Sequence, residues 1–192
     1  MQIIQITATL RDVFPAVVRT LEVPADITLD RLHETLQAAF GWENVHLYRF
    51  SIGEPYQFGA ERWVMSEFMD SPEDLPAEAT TFAEALAYSG DTGLTYLYDY
   101  GDDWVHDISS APPTAPDPSK SYPCLIDITG NCPPEDIGGP PGYGMFIQAM
   151  FDPRHPEHKN LKEWYGGPFN PDEPNKKALI SNVAKLAKSW AN

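Results

Sequence analysis

Four acidic residues surround one histidine in the stretch YDYGDDWVHDI, residues 98–108. Carboxylates and imidazole bind divalent cations and transfer protons at neutral pH, so this pattern could serve a metal site or acid–base chemistry. The alternative is a solvated turn whose carboxylates accept hydrogen bonds from nearby amides, with the histidine at the edge of the core. The candidate residues of this stretch are Asp99, Asp102, Asp103 and His106.

A second acidic pair follows in CPPEDIGGPPGYG, where Glu135 and Asp136 lie between two prolines and a glycine-rich run. Proline fixes the backbone angle φ and glycine permits close backbone approach, so this segment should have a defined shape. If the two acidic segments meet in the folded chain, they could hold a divalent cation that activates water, with His106 assisting proton transfer. If they lie far apart, this site does not exist.

The two cysteines and two of the histidines offer a different ligand set. Seven residues separate Cys124 from Cys132, and the sequence HPEH contains His155 and His158. These residue types suit zinc, but zinc sites normally place paired ligands about two to four residues apart. We therefore expect a buried thiol pair and surface histidines, with a Cys/Cys/His/His zinc site as the alternative.

Hydrophobic periodicity predicts the elements that must position these residues. Alternating apolar and polar side chains indicate two antiparallel strands within residues 1–23 and a hairpin over 94–108. Another hairpin runs from His46 through a turn at Gly53 and Glu54 into the sequence PYQF. A helical stripe ends before Gly41, and the capping box TFAE at Thr81 opens a short helix. The predicted helices cover residues 29–40, 82–90, 143–151, 157–165 and 175–190.

The loop of the hairpin over 94–108 decides which side chains share a face of the sheet. A three-residue loop, 101–103, pairs Tyr100 with Trp104 and Tyr98 with His106. This register gathers the rings and the histidine on one face. A two-residue loop would mix carboxylates into both faces, so burial of the rings favours the odd loop.

Strands followed by helices predict an α+β fold. We expect one domain over residues 1–192, with an antiparallel or mixed sheet of about five to six strands and the helices gathered on one face. The proline-rich segment 109–121 has almost no core-forming side chain, so we expect a mobile surface loop there.

Charge limits the classes of partner. The chain contains 28 acidic and 13 basic residues, a formal net charge of −15, which repels phosphate backbones and anionic membranes. The first ten residues, MQIIQITATL, alternate in polarity and do not form a signal peptide, and no apolar run is long enough to span a membrane. We therefore expect a cytoplasmic protein without a nucleic-acid or membrane partner.

Several ordered motifs resemble the plasmid pRiA4b ORF-three-like family over nearly the whole chain. The motifs are LEVPADITLDRLHETLQAAFGWENVHLYRFSIG, YDYGDDWVHDI, CPPEDIGGPPGYGMFIQAM and DPRHPEHKNLKEWYGG. The resemblance implies a single α+β domain whose biochemical role is uncharacterised. It also places one family signature on Asp99, Gly101, Asp102, Trp104 and His106, and a second on residues 132–139. Family members often have a further cysteine where this chain has Ile137, which argues against a metal role for that position.

Some members of the family carry a resolvase label. A serine recombinase needs a nucleophilic serine among arginines that bind the scissile phosphate, whereas the six arginines of this chain are scattered one by one. DNA binding or resolvase activity is therefore the function that the sequence supports least.

Two functions remain in competition. The first is a non-enzymatic binding module that recognises a protein or small ligand through the loops 109–121 and 132–144. The alternative is a metal-dependent hydrolase that uses the acidic cluster to hold a divalent cation. The residues of that predicted site are Asp99, Asp102, Asp103, His106, Glu135 and Asp136.

Overall fold

The computed structural model describes residues 1–90 and 92–190 of the chain. Within these residues lie eight strands and five α-helices. The strands are β1 (Ile3–Leu10), β2 (Val18–Pro24), β3 (Tyr48–Ile52), β4 (Arg62–Val64), β5 (Asp74–Pro76), β6 (Leu94–Tyr98), β7 (Trp104–Ser110) and β8 (Cys124–Thr129). The helices are α1 (Leu29–Phe40), α2 (Phe82–Ser89), α3 (Gly139–Phe151), α4 (His158–Tyr165) and α5 (Lys176–Trp190).

The eight strands form one mixed sheet in the order β5-β4-β3-β6-β7-β1-β2-β8. All neighbours are antiparallel except β4 and β5, which are parallel. The predicted α+β class is confirmed, with more strands than the five or six expected. The excess comes from β4 and β5, which have three residues each and are too short for periodicity to reveal.

Apolar alternation explains the centre of the sheet. In β1, the side chains of Ile4, Ile6, Ala8 and Leu10 share one face and are all buried. Ile6 pairs with Leu21 of β2, as expected for the first hairpin. Burial of this row stabilises the sheet through the hydrophobic effect, at roughly 25 cal/mol for each Å² of apolar surface.

Local signals explain the first two helices. The residue after α1, Gly41, has a left-handed φ of 88°, and its N–H donates to Gln37 O at 2.8 Å. At the start of α2, the Thr81 and Glu84 side chains form the predicted capping box. α1 packs against α5, and α5 packs against β8. No helix of the described residues is long and apolar enough to cross a bilayer.

The second hairpin differs from the prediction. After the turn at Gly53, the PYQF segment forms no strand, and β3 pairs instead with β4, where Phe50 lies opposite Trp63. Two properties of the segment explain this. Pro55 has no N–H to donate to a ladder, and Phe58 is fully exposed and therefore gains no burial on either face of the sheet.

The β6–β7 hairpin has an odd loop, as predicted, but its register differs by two residues. Tyr98 lies opposite Trp104 and Tyr96 opposite His106, so the loop has five residues, 99–103. The turn forms earlier because the Asp103 N–H donates to Asp99 O at 2.8 Å. Tyr100 is therefore outside the strand and partly exposed. Since a shift by two preserves the face, the rings and His106 still share one buried side.

The segment after β7 connects it to β8 along the edge of β1. Thr114 and Ile3 exchange two backbone hydrogen bonds of 2.8 and 2.9 Å. These contacts fix the middle of the proline-rich segment to the start of β1. Mobility of residues 109–121 stays a prediction.

His106 lies in the core of the sheet, surrounded by rings. Its ring centroid is 4.6 Å from that of Phe40, 5.3 Å from Trp42 and 5.1 Å from Tyr96. Complete burial lowers the pKa of His106 to about 3, and burial lowers the pKa of His33 to about 4. Both histidines are therefore neutral at physiological pH.

These two histidines should make the fold sensitive to acid. Their pKa is near 6.5 when unfolded and lower when folded, so the stability they confer is complete above about pH 6.5 and declines as the pH falls towards their folded values. Each should contribute a slope of about 1.4 kcal/mol per pH unit. His106→Gln should remove its share of this slope, measured by urea unfolding between about pH 7 and 4. His155→Gln is the control, and an unchanged slope in His106→Gln would contradict the assignment.

Candidate metal centre

Three segments that are distant in sequence meet at one end of the sheet. They are the connection 41–47 after α1, the hairpin loop 99–103 and the segment 133–138 before α3. The Asp99 N–H donates to Leu47 O at 2.9 Å, and the indole N–H of Trp42 donates to Pro133 O at 3.1 Å. The two acidic segments singled out in the sequence are therefore neighbours in the fold.

The hairpin loop and the glycine-rich run are in direct backbone contact. The Gly138 N–H donates to Asp102 Oδ2 at 3.0 Å. A Cβ atom on Gly139 would lie 2.3 Å from Asp102 O, so only glycine permits this approach. The left-handed φ of 67° at Gly139 favours glycine for a second reason. This contact holds the two acidic segments at a fixed spacing.

Four side chains converge at this junction, and we call them the His46 cluster: His46, Asp99, Glu135 and Asp136. His46 Nε2 lies 3.0 Å from Asp136 Oδ1, 3.6 Å from Asp99 Oδ2 and 4.0 Å from Glu135 Oε2. The nearest ligand atoms of His46, Asp99 and Asp136 are all within 4.8 Å of one another. One imidazole and several carboxylates at this spacing are a ligand set for a divalent cation.

Hydrogen bonds orient the carboxylates of Asp99 and Glu135. Asp99 Oδ1 accepts from the Gly101 N–H at 2.8 Å, which leaves Oδ2 towards the imidazole. Glu135 Oε1 accepts from the Glu43 N–H at 2.8 Å and from the Tyr98 hydroxyl at 3.1 Å. In each case one oxygen is held by the protein and the other points into the cluster.

The second oxygen of Glu135 is the least satisfied atom of the junction. Glu135 Oε2 is buried and has no hydrogen-bond partner in the described part of the chain. Burial raises the pKa of Glu135, and the neighbouring Asp136 raises it further. A buried carboxylate oxygen without a donor is costly unless a cation or a proton satisfies it.

The junction carries excess negative charge. In the residues that the structure describes, the ion pairs of Asp99, Glu135 and Asp136 are all with His46. One imidazole can supply at most one positive charge against three carboxylates. Asp99 and Asp136 also adopt left-handed φ values of 59° and 55°, a conformation that aspartate tolerates better than most residues but that still costs free energy.

Three residues predicted for the site have other contacts. Asp102 accepts the Gly138 N–H, and Asp103 accepts a hydrogen bond from the Tyr56 hydroxyl. His106 is fully buried, deeper than the edge position considered for it, and contacts Tyr96 O through Nδ1 at 3.2 Å. The predicted residues that the structure brings together are Asp99, Glu135 and Asp136.

His46 belongs to the cluster although its sequence context did not indicate a site. His46, Tyr48 and Phe50 follow one another at the two-residue period of a strand, so this pattern predicted that His46 lies within the strand. β3 begins only at Tyr48, and the residues before it form a connection that turns His46 towards Asp99. The one signal in the sequence was a histidine in the segment ENVH beside the end of a strand. This signal did not indicate which residues His46 contacts.

The cysteines and the HPEH histidines do not form a shared site. Among the described residues, the group of three or more close ligands is His46, Asp99 and Asp136, and it contains no cysteine. The Cys124 thiol donates to Glu22 at 3.5 Å, and burial together with this carboxylate raises its pKa to about 11. Both cysteines are partly exposed rather than fully buried, and burial also raises the pKa of the Cys132 thiol.

The two HPEH histidines make local contacts. His155 Nδ1 accepts from the Glu157 N–H at 3.1 Å, and His158 Nδ1 contacts Ala149 O at 2.7 Å. Both side chains are partly exposed. Their partners lie within the α3–α4 region, so these histidines serve the local fold.

Two open cavities border the His46 cluster. One of about 840 Å³ is lined by His46 together with Asp30, Glu34 and Glu78. The other, of about 500 Å³, is lined by Glu135 and Asp136 together with aromatic side chains. A small molecule could therefore approach the cluster from either side.

The contact between Gly139 and Asp102 can be tested by adding one methyl group. Gly139→Ala should lower the free energy of unfolding by at least about 2 kcal/mol, because of the clash and the left-handed φ. The control is Gly144→Ala in α3, where a Cβ meets nothing within 4 Å and should stabilise the helix by up to about 1 kcal/mol. Denaturant unfolding measures both, and equal effects would contradict the contact.

Comparisons with known proteins agree with this fold. The crystal structure of the protein of unknown function MM3350 from Methanosarcina mazei Go1 matches with a TM-score of 0.79 and 21% sequence identity. The match covers 92% of this chain and 96% of that one. At this identity the likeness concerns the fold alone.

Sequence comparison finds a closer relative and a family. "Uncharacterized protein y4hQ" of Sinorhizobium fredii (strain NBRC 101917 / NGR234) is 40% identical over 190 residues, which cover 98% of this chain and 94% of that protein. A family model described as "Plasmid pRiA4b ORF-3-like protein" matches residues 2–178. The chain therefore belongs to the plasmid pRiA4b ORF-3-like family, which confirms the resemblance carried by its motifs.

Proposed function

We propose that this protein is a binding module for a divalent cation. The ligands are His46 Nε2, Asp99 Oδ2 and Asp136 Oδ1, with Glu135 Oε2 as the fourth. The observation that carries this proposal is the buried Glu135 Oε2, which has no hydrogen-bond donor among the described residues and lies 4.0 Å from the imidazole nitrogen His46 Nε2. A divalent cation would satisfy this oxygen and neutralise the excess negative charge.

The ligand types favour a transition metal over calcium. Imidazole nitrogen suits zinc and its neighbours in the first transition row, whereas calcium takes oxygen ligands almost alone. Ligands that share one such ion at about 2.1 Å lie roughly 3 to 4 Å apart. The distances of 3.0, 3.6 and 4.0 Å from His46 Nε2 fall in this range. Zinc or manganese is therefore the ion proposed.

The hydrogen bonds behind the ligands support a preformed site. The Gly101 N–H and the Tyr98 hydroxyl hold the outer oxygens of Asp99 and Glu135. Such partners orient metal ligands, and their loss typically costs about 10- to 100-fold in affinity. Asp136 is more exposed, with 69% of its side chain accessible, which leaves a side on which a partner could complete the coordination.

The same segment supports the predicted role of the loop 132–144 in recognition. This loop supplies Glu135 and Asp136, and its backbone packs on the hairpin tip. A partner that approaches the cation would therefore touch this loop first. The partner proposed is a protein or small ligand with a free nitrogen or oxygen donor.

Calorimetric titration of zinc or manganese into the purified, chelator-treated protein tests the cation site. One ion should bind per chain, and His46→Gln or Asp136→Asn should weaken binding by about 100-fold or more. Asp102→Asn is the matched control, because it removes a neighbouring charge while keeping an acceptor for the Gly138 N–H. It should change affinity by only a few fold. Absence of binding, or equal losses in all three variants, would disprove the site.

The pH dependence of the metal affinity tests whether Glu135 is a ligand. Because burial raises the pKa of Glu135, its proton competes with the ion at a higher pH than an ordinary carboxyl proton would. Metal affinity should fall as the pH is lowered, and less steeply in Glu135→Gln. An identical pH profile in that variant would exclude Glu135 as a ligand.

Metal-assisted hydrolysis is a second candidate, favoured by the two cavities that border the cluster. A bound ion would lower the pKa of its water and so supply a hydroxide nucleophile near neutral pH. Hydrolysis of p-nitrophenyl acetate by the zinc-loaded protein should exceed that by free zinc, and Asp136→Asn should abolish the excess. A rate equal to that of free zinc would exclude hydrolysis, and the binding module would remain as the proposed function.

A further inference from the structure

Arg49 occupies the side of β3 that faces away from α1. Its neighbour Tyr48 stacks on His33 of α1 with ring centroids 3.6 Å apart, and successive side chains of a strand point to opposite faces. On the far side, the Arg49 guanidinium lies between two rings, 4.4 Å from the centre of Tyr56 and 5.2 Å from that of Tyr100. Only 8% of Arg49 is exposed.

Among the described residues, this guanidinium has no anionic partner. Arg49 Nε and Nη2 are buried without a hydrogen-bond partner in the described part of the chain, and the ion pairs found there do not include Arg49. The adjacent Arg62 is different, because its Nε donates to Asp74 Oδ1 at 2.9 Å. The two tyrosine rings stabilise the charge of Arg49 but accept no strong hydrogen bond. Buried arginines are normally paired, so this one lacks a partner.

Arg49 forms part of the wall of two adjacent cavities. The larger, of about 330 Å³, is lined by apolar and aromatic side chains together with charged ones, while the smaller, of about 220 Å³, lies under the loop that carries Tyr56. The volume of the larger one is at the lower end of the range for small-molecule sites, about 300 to 1,000 Å³. The apolar and aromatic residues that line it are Leu47, Tyr48, Val64, Met65, Phe68 and Tyr100, and the charged ones are Arg49, Arg62, Asp70 and Asp74.

We propose that this Arg49 cavity binds a small monocarboxylic acid with a single aromatic ring. The planar guanidinium carries paired N–H donors that match the two oxygens of a carboxylate, and its Nε and Nη2 have no partner in the described part of the chain. The apolar and aromatic part of the lining takes the ring of the ligand, and the carboxylate is placed at Arg49. This site uses none of the proposed cation ligands and does not depend on a bound cation.

The charges of the lining favour a monoanion over phosphate. Arg62 is neutralised by Asp74, and Asp70 lies on the same wall, so Arg49 supplies the one unpaired positive charge of the lining. A phosphate dianion would bring two negative charges, of which Arg49 balances one. The second would be repelled by the two aspartates of the lining. A carboxylate brings one charge and the fork geometry that Arg49 can meet.

Calorimetric titration of benzoate into the wild-type protein tests this site, with benzamide and inorganic phosphate as comparison probes. Benzamide has the shape of benzoate without its charge, and phosphate has charge without a ring. Charge-assisted hydrogen bonds to one guanidinium correspond to about a 10- to 100-fold preference, so benzoate should bind more tightly than either probe by that factor. Equal binding of benzoate and benzamide, or no benzoate binding, would overturn the proposal.

Substitution of the arginine assigns the binding to this cavity. Arg49→Met keeps the length and apolar contacts of the side chain and removes the unpaired charge, and it should weaken benzoate binding by about 10-fold or more. Arg49→Lys keeps the charge without the planar fork and should give an intermediate loss. Arg154→Met, at an arginine whose side chain is 91% exposed, is the control and should bind benzoate as the wild type does. Unchanged affinity in Arg49→Met would place benzoate elsewhere and overturn the proposal.

Discussion

The buried hydroxyl of Tyr98 connects the three segments on which the rest of this structure depends. It accepts a hydrogen bond from the Val45 N–H and donates one to Glu135 Oε1, both at 3.1 Å. Burial raises the pKa of Tyr98, so the hydroxyl keeps its proton and remains a donor at physiological pH. Because Tyr98 is the last residue of β6, the rigid centre of the sheet fixes the positions of both neighbouring segments.

Rings and hydrogen bonds around Tyr98 also explain how the core meets the candidate site. Trp42 stacks on Tyr98 at 5.0 Å and donates its indole N–H to Pro133 O. Behind this pair lies His106, neutral and enclosed by rings. The apolar interior therefore extends up to the carboxylates of the His46 cluster, where it lowers the local dielectric and raises the cost of their unpaired negative charge.

Much of the fold followed from local patterns, and the exceptions have physical causes. The alternation in β1 and the Gly41 end of α1 were readable because burial and a left-handed φ leave clear signals. Helix α3 begins at Gly139, four residues before the prediction, because prolines are tolerated in the first turn of a helix, where their missing N–H needs no partner. The strands β4 and β5 depend on pairing and not on their own three-residue sequences.

The candidate site was predictable only in part, for a related reason. Asp99, Glu135 and Asp136 belong to acidic runs that the sequence displays openly, whereas His46 acquires its role from the tertiary meeting of its connection with the hairpin loop. Arg49 was invisible in the same way, since an arginine in a strand does not reveal whether a carboxylate will face it. Sequence patterns identified the acidic groups, and the fold decided which partners they share.

The contact of Gly139 with Asp102 sets the distance between the two acidic segments without using any side chain beyond glycine's hydrogen. Exchange of solvent-facing residues such as Asp136 would alter the chemistry of the cluster while leaving its dimensions intact. This backbone contact thus sets the spacing of the two segments. Relatives that keep a glycine at this position could carry different polar side chains at the same spacing.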